Sequence, residues 1–230
     1  MVGQSRVVPV SAPGGSSPQR RYGADGVHRA DTPDDFQALH RILSEVYARE
    51  FRWLSTEVTR MERDRYHAHS TYLIASTGSR PIGMMRLVHD SPIGLPIEQF
   101  VDVSDIKRGR NVIECQRLMV LSEDRAYRDA QLPFGAFGAL VKSTVHHCLQ
   151  TRQDHILADC FVNTPTTPIR QLMGIGFVET GRSFTDHELA ESGPSTALLL
   201  KMETLYQLIR MAPSEYFRYL TPRFEGFSSS

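Results

Sequence analysis

Between Val112 and Val162 the chain runs strand, helix, strand, and few folds can hold that order next to a hairpin. Val112-Ile113-Glu114-Cys115-Gln116-Arg117-Leu118-Met119-Val120 reads as a strand. Residues 134–150 then place Phe134, Phe137, Leu140, Val141, Val145, Cys148 and Leu149 on one helical face. Ile156 to Val162 returns as a strand. Such a crossover seats both strands in one sheet with the helix against it. Upstream, Thr71–Ser76 and Pro81–Val88 flank Thr77-Gly78-Ser79, which predicts a β-hairpin. Hairpin and crossover together predict a mixed central sheet with helices on both faces, in the α/β (α+β) class.

The remaining segments fit around that sheet. Val27–Ala30 is a short strand. Thr32 can cap a helix that Pro33 opens and that Phe36, Leu39, Ile42, Leu43, Val46 and Tyr47 fill at helical spacing. A second helix is expected over Thr56–Tyr66. Residues 89–108, with Pro92, Gly94 and Pro96, form a long excursion with a helical turn at 97–100, and loops of that length are often functional. Pro165–Met173 is a short helix closed by Gly174-Ile175-Gly176. Strands follow at Phe177–Arg182 and Ser195–Lys201, and residues 203–220 are helical with a break at Pro213. Residues 1–25, rich in Gly, Ser, Pro and Gln, predict a disordered N-terminal tail. Residues 26–220 are one domain and 221–230 a fraying C-terminal tail.

Composition narrows the function. Hydrophobic residues make up 40 % and charged residues 23 %, as in a globular chain. Lys+Arg and Asp+Glu both number 26, so no global basic field is available to hold nucleic acid. Three cysteines (Cys115, Cys148 and Cys160) without a short C-x-x-C pair suit a reducing, cytoplasmic setting and offer no zinc site. Nine histidines include His67-x-His69 and His146-His147, but neither pair has a third ligand beside it, so no metal is expected. No apolar run is long enough to span a membrane, and the first residues do not form a signal peptide.

The order of elements resembles the GNAT fold of acyl-CoA N-acyltransferases. Within it, the pattern is similar to the branch of acyl-homoserine-lactone synthases and N-acyl amino acid synthases. Val46-Tyr47 followed by Phe51 and Trp53 resembles the aromatic pair before the acceptor loop. Tyr72-Leu73-Ile74-Ala75 and Gly83-x-x-Arg86-Leu87 resemble the family's Y-L and G-x-x-R-L strands. Glu114-x-x-Arg117-Leu118-x-Val120 resembles the E-x-x-R-[FL]-x-V strand, and Val162-Asn163 with Gly174-x-Gly176-Phe177 the common end of the domain. Asp64 matches the first member of an acidic D-x-x-D pair, but His67 stands in the second place, so a lactone synthase is not implied. The Q/R-x-x-G-x-G/A phosphate loop of acetyltransferases is replaced by Ser122–Asp129, with only Gly135 at the helix start.

The resemblance implies transfer of a fatty acyl group from a thioester, acyl-CoA or acyl carrier protein (ACP), to a primary amine of an amino acid, derivative or peptide. No cofactor would be tightly bound. The alternatives are a small-molecule N-acetyltransferase using acetyl-CoA, and a silent GNAT-like module binding a lipid or a partner. An ammonium must lose a proton before it attacks, so a base is needed. Glu114 is the candidate: it shares a strand face with Val112 and Gln116, and desolvation would raise its pKa. The competing reading is structural pairing with an arginine. Arg117, three residues on, joins Glu114 only if a bulge intervenes, as in GNAT-like strands. Arg86 or Arg117 would fix Glu114 or the acceptor's carboxylate, or form a buried ion pair.

The resemblance places oxyanion donors at the backbone of Met119, Val120 and Leu121, and the donor's phosphate at Phe134 and Gly135. Arg125 and Arg128 flank that helix start, either adding charge or pairing with Glu123, Asp124 and Asp129. Phe51, Trp53, Asp64 and Met84 are candidates to contact the acyl chain or the acceptor.

Overall fold

A computed structural model describes residues 26–54, 64–164, 166–187, 189, 193–211 and 214–221. The expected tails, apart from Thr221, and residues 56–63 of the expected second helix lie outside these residues.

Seven strands form one sheet: β1 (Val27–Arg29), β2 (Ser70–Thr77), β3 (Arg80–His89), β4 (Val112–Val120), β5 (His155–Phe161), β6 (Val178–Phe184) and β7 (Ser195–Lys201), in the order β1-β2-β3-β4-β5-β7-β6. All neighbours are antiparallel except β4 and β5, which pair parallel across the crossover helix α3 (Gly135–Gln150). The sheet is therefore mixed, as the strand–helix–strand order predicts.

Helix α1 (Pro33–Leu43) starts as its residues dictate. Thr32 Oγ1 accepts the Asp35 N–H at 3.2 Å and the Asp35 carboxylate accepts the Thr32 N–H at 3.1 Å, so two orphan donors are satisfied reciprocally. Past Leu43 the chain does not remain α-helical. Ser44–Glu50 winds as a wider π-helix, a rare form often found at functional sites, and this turn carries Val46 and Tyr47.

The two sheet faces are covered differently. Helix α3 packs Ala139, Leu140, Val145 and Cys148 against Leu73, Met85, Leu87, Ile113, Ile156 and Leu198. On the opposite face α1 sets Leu39, Ile42 and Leu43 on Tyr72, Ile74, Met84 and Met119. Beside it lies the excursion between β3 and β4. It is more ordered than a loop: a 3₁₀ turn at Pro96–Gln99, as expected near 97–100, and a further short helix α2 (Ser104–Lys107). Its Leu95, Ile97, Val103 and Ile106 are buried on Val88, Val112, Leu157 and Leu199. Helices α4 (Ile169–Gly174), α5 (Met202–Met211) and α6 (Glu215–Leu220) complete the domain. Among the described residues no helix is long and apolar enough to cross a membrane.

Candidate active site

The parallel pairing of β4 with β5 stops at Cys115–Ala158. Beyond it the two strands diverge and leave a gap in the middle of the sheet. A cavity of about 340 Å³ passes through that gap. On the α3 side its wall is apolar: Met85, Cys115, Val141, Val145, Ile156, Ala158, Leu172 and Leu200. On the other side stand Tyr47, Phe51, Trp53 and Phe161. The charged groups on the wall are Arg117, Arg125, Arg128 and Asp159, and its polar residues include Gln116, Gln171, Thr144, Thr164, Thr166 and Thr167. The aromatic wall is self-supporting, with Trp53 stacked on Phe51 at 4.4 Å between ring centroids and packed against Phe161 at 4.3 Å. Phe51 and Trp53 thus border the cavity.

Arg117 owes its position to a β-bulge. Met84 pairs with Met119 and Arg86 with Gln116, so β4 uses three steps where β3 uses two. The extra residue is absorbed by Arg117, a non-glycine at φ 53°. A bulge re-aims the side chain that follows it, and here the Arg117 side chain comes to the face that holds Arg86 and Glu114. Its Nη2 donates to Asp64 Oδ2 at 3.1 Å. Arg86 holds the same carboxylate in a fork, Nη1 to Oδ2 at 2.6 Å and Nη2 to Oδ1 at 3.0 Å, and its Nε donates to Ser70 Oγ at 2.9 Å. Burial pushes the Asp64 pKa up, but the Arg86 hydrogen bonds and charge outweigh it and hold the carboxylate below its usual range. Asp64 and Arg86 lie behind the cavity wall and anchor Arg117, which is on it. His67, in the place of the family's second acid, puts its Nδ1 3.1 Å from the Tyr72 hydroxyl.

Glu114 stands differently from the expectation that it meets the acceptor. It is 0 % exposed and is not part of this cavity's wall. The Ile97 N–H donates to its Oε2 at 3.0 Å and Gln116 Nε2 donates to its Oε1 at 2.8 Å. The cause is the β3–β4 excursion, whose Leu95 and Ile97 close over this part of the strand. Burial, and then the charge of Asp159, push the Glu114 pKa well above its ordinary value, against the lowering effect of the Ile97 hydrogen bond, the Arg86 charge and the Gln116 hydrogen bond. Only Gln116 links it to the cavity.

Four other expectations also shift. Met84 is fully buried in the α1-side core instead of lining the cavity. Phe134 packs on Tyr216 and Tyr219, away from the cavity wall. Arg125 does not pair with the nearby acids: its guanidinium forks Glu50 at 2.7 and 2.6 Å, and its Nε donates to the Val120 carbonyl at 3.2 Å. Arg128 donates to the carbonyls of Arg125 and Tyr127, and Asp124 is taken by Arg80. Arg128 also lies on Gly135, at φ 70°, where a Cβ would collide with the guanidinium.

The backbone donors sort by pairing. The Leu121 N–H is spent on the Ile82 carbonyl at 2.9 Å. In an antiparallel ladder the next residue, Val120 opposite Gly83, directs its N–H and C=O away from β3. Met119 and Val120 both border the cavity, but Met119 pairs back to β3, so the Val120 N–H is the donor turned towards the gap.

One acid at the site lies outside the candidate residues of the sequence. Asp159 follows the last β4–β5 pair, faces the same side as Leu157 and Phe161, and borders the cavity half-buried. Burial, and then Asp186, raise its pKa to about 6. The signal that could have found it is a lone charge inside the apolar run Ile156-Leu157-Ala158-Asp159-Cys160-Phe161. Cys115 lines the cavity too, but burial pushes its thiol well up and keeps it protonated.

Comparison with known proteins gives this geometry a family. The family model of the N-acyl amino acid synthase FeeM matches residues 38–163, more than half of the chain. No curated protein matches. Among solved structures, FeeM from uncultured soil microbes aligns with a TM-score of 0.59 at 15 % identity, over 79 % of this chain and 92 % of FeeM. An aminoglycoside 6′-acetyltransferase type Ii aligns at 0.52 with 12 % identity, over 76 % of this chain and 96 % of that one. An acyl-CoA N-acyltransferase from Pseudomonas aeruginosa aligns at 0.51 with 13 % identity, over 75 % and 95 %. These likenesses establish the GNAT fold, and the family match goes further: the chain belongs to the FeeM family of N-acyl amino acid synthases and is an acyltransferase.

Proposed function

We propose that the chain moves a medium or long fatty acyl group from a phosphopantetheine thioester, acyl-ACP or acyl-CoA, to the amine of an amino acid. The observation that carries this reading is the cavity through the β4–β5 gap, apolar on the α3 side and polar where Arg117 stands. The acyl chain would enter the apolar part, among Val141, Val145, Ile156 and Leu200. The thioester carbonyl would lie in the gap, where the Val120 N–H meets the oxygen that becomes negative in the tetrahedral intermediate. Arg125, Arg128 and the start of α3 around Gly135 would receive the phosphate of the pantetheine arm. Arg117, held by Asp64, keeps donors free to fork the acceptor's carboxylate. Arg86 and Glu114 act behind it, Arg86 by fixing Asp64 and Glu114 by fixing Gln116.

Incubation with acetyl and palmitoyl thioesters of CoA and of ACP, with and without pooled amino acids, tests the reading. Amino-acid-dependent thiol release, faster with palmitoyl than with acetyl donors, is expected. Release only from acetyl-CoA would instead mark a small-molecule acetyltransferase.

A further inference from the structure

The acyl-transfer reading leaves open which group takes the proton from the acceptor's ammonium. Glu114 has no face on the cavity described above. Tyr47 borders it, but burial pushes its phenol far above the neutral range, so it is not a base at pH 7. Arg117 is a cation. Asp159 is the remaining acid on the wall.

Its placement is unusual for a structural residue. A carboxylate in a largely apolar strand costs stability unless it is paired. Among the described residues no cation forms an ion pair with Asp159, and no side chain donates a hydrogen bond to it. Asp159 and Gln116 are each the first residue past the last β4–β5 pair, so they flank the opening of the gap on one face. Arg117 is the next residue of β4. An α-amino acid carries a cation and an anion a few ångströms apart, and this mouth offers an acid and a guanidinium on its two edges.

We infer that Asp159 is a catalytic residue: it binds the acceptor's ammonium and accepts its proton, while Arg117 holds the carboxylate. The inference rests on the acyl-transfer reading. The charged and titratable groups coupled to Asp159 are Glu114 from β4, Cys160 beside it on β5, Tyr47 from the π-helical turn and Asp186 from the segment after β6, and Arg117 of β4 stands on the same cavity wall. Burial raises the pKa of Glu114, Cys160 and Tyr47 alike, which disfavours the charged form of each. The Arg117 guanidinium on the same wall is already shared with Asp64, so the carboxylate of Asp159 is left to meet an incoming cation.

The step balances. One ammonium N–H bond breaks and its proton passes to an Asp159 carboxylate oxygen. The neutral nitrogen attacks the thioester carbon and a C–N bond forms. The C–S bond then breaks, the sulfur leaving with a second proton from nitrogen, to give amide and free thiol. Asp159 returns its proton to solvent. A carboxylate titrating at about 6 is ionised at pH 7.5, yet more basic than an exposed aspartate.

The test is the pH profile of kcat/KM for Asp159→Asn in the full chain, with palmitoyl thioester as donor and an amino acid as acceptor. The wild type should lose activity below pH about 6, and the variant should be slower by about 100-fold at pH 7.5 with that acid limb gone. Asp159→Glu should restore part of the rate. An aminooxy acid, whose nitrogen is already neutral at pH 7.5, should shrink the variant's deficit to within about tenfold, which a purely structural defect would not do. Circular dichroism checks that the isosteric Asn variant is folded. An active wild type with an Asn variant within about threefold of it, or with the same deficit for aminooxy and amino acceptors, overturns the inference and leaves acyl transfer standing. A wild type that forms no amide from any pairing overturns the acyl-transfer reading itself.

Discussion

Arg117 holds the strained position of the site. A left-handed arginine in a strand costs on the order of 1–3 kcal/mol, and here it turns one cation from a sheet face towards a gap. The spacing Glu114-x-x-Arg117 made both residues legible, and the need for a bulge followed from their odd separation. Which of the two meets the substrate was not legible. Glu114 is sealed by Leu95 and Ile97, residues from a distant loop whose fold no local pattern reveals. Glu114→Gln should therefore keep turnover within about tenfold, where loss of a direct base would cost about 100-fold or more. The same variant has a stability signature. The folded pKa of Glu114 lies above its unfolded value, near 4.3, so the wild type loses stability as pH rises from there towards the folded value. The variant lacks that loss. Its melting temperature relative to wild type should climb between pH 4 and pH 8, as followed by thermal melts across that range.

At the level of elements, β3 and β4 approach unusually closely where the bulge forms. A Cβ on Gly83 would stand 2.9 Å from the Met119 carbonyl, a backbone atom with little room to retreat. Gly83→Ala should cost about 1–3 kcal/mol and lower the melting temperature by roughly 3–10 °C. It should also slow acyl transfer, because the displaced strand carries Val120 and Arg117. Melts together with thiol-release rates check both parts. The strands and α1 were readable because alternation, capping and turn residues are local signals. The π-helical turn at Ser44–Glu50 was not, since its apolar spacing suits an ordinary helix. The strand of Asp159 is legible in its apolar run, but no local pattern says that its one charge borders a cavity.

Across the whole molecule, a sheet opened by two diverging strands joins two compartments. One is an apolar tunnel under α3; the other is an aromatic and charged mouth below the π-helical turn. The split predicts separable effects. Val145 is 2 % exposed and borders the tunnel, so Val145→Phe should shorten it. Turnover with palmitoyl thioesters should fall by about tenfold or more, and with butyryl thioesters by less than about threefold. A series of donors of increasing chain length reads the change as a shifted optimum.

The central claim is that this gap joins a fatty acyl group to an amino acid nitrogen. Mass spectrometry of the products formed from a long-chain acyl thioester and an amino acid tests it most directly. An N-acyl amino acid appearing one for one with free thiol is the predicted result; thiol released as free fatty acid, with no amide formed for any amino acid offered, would contradict it.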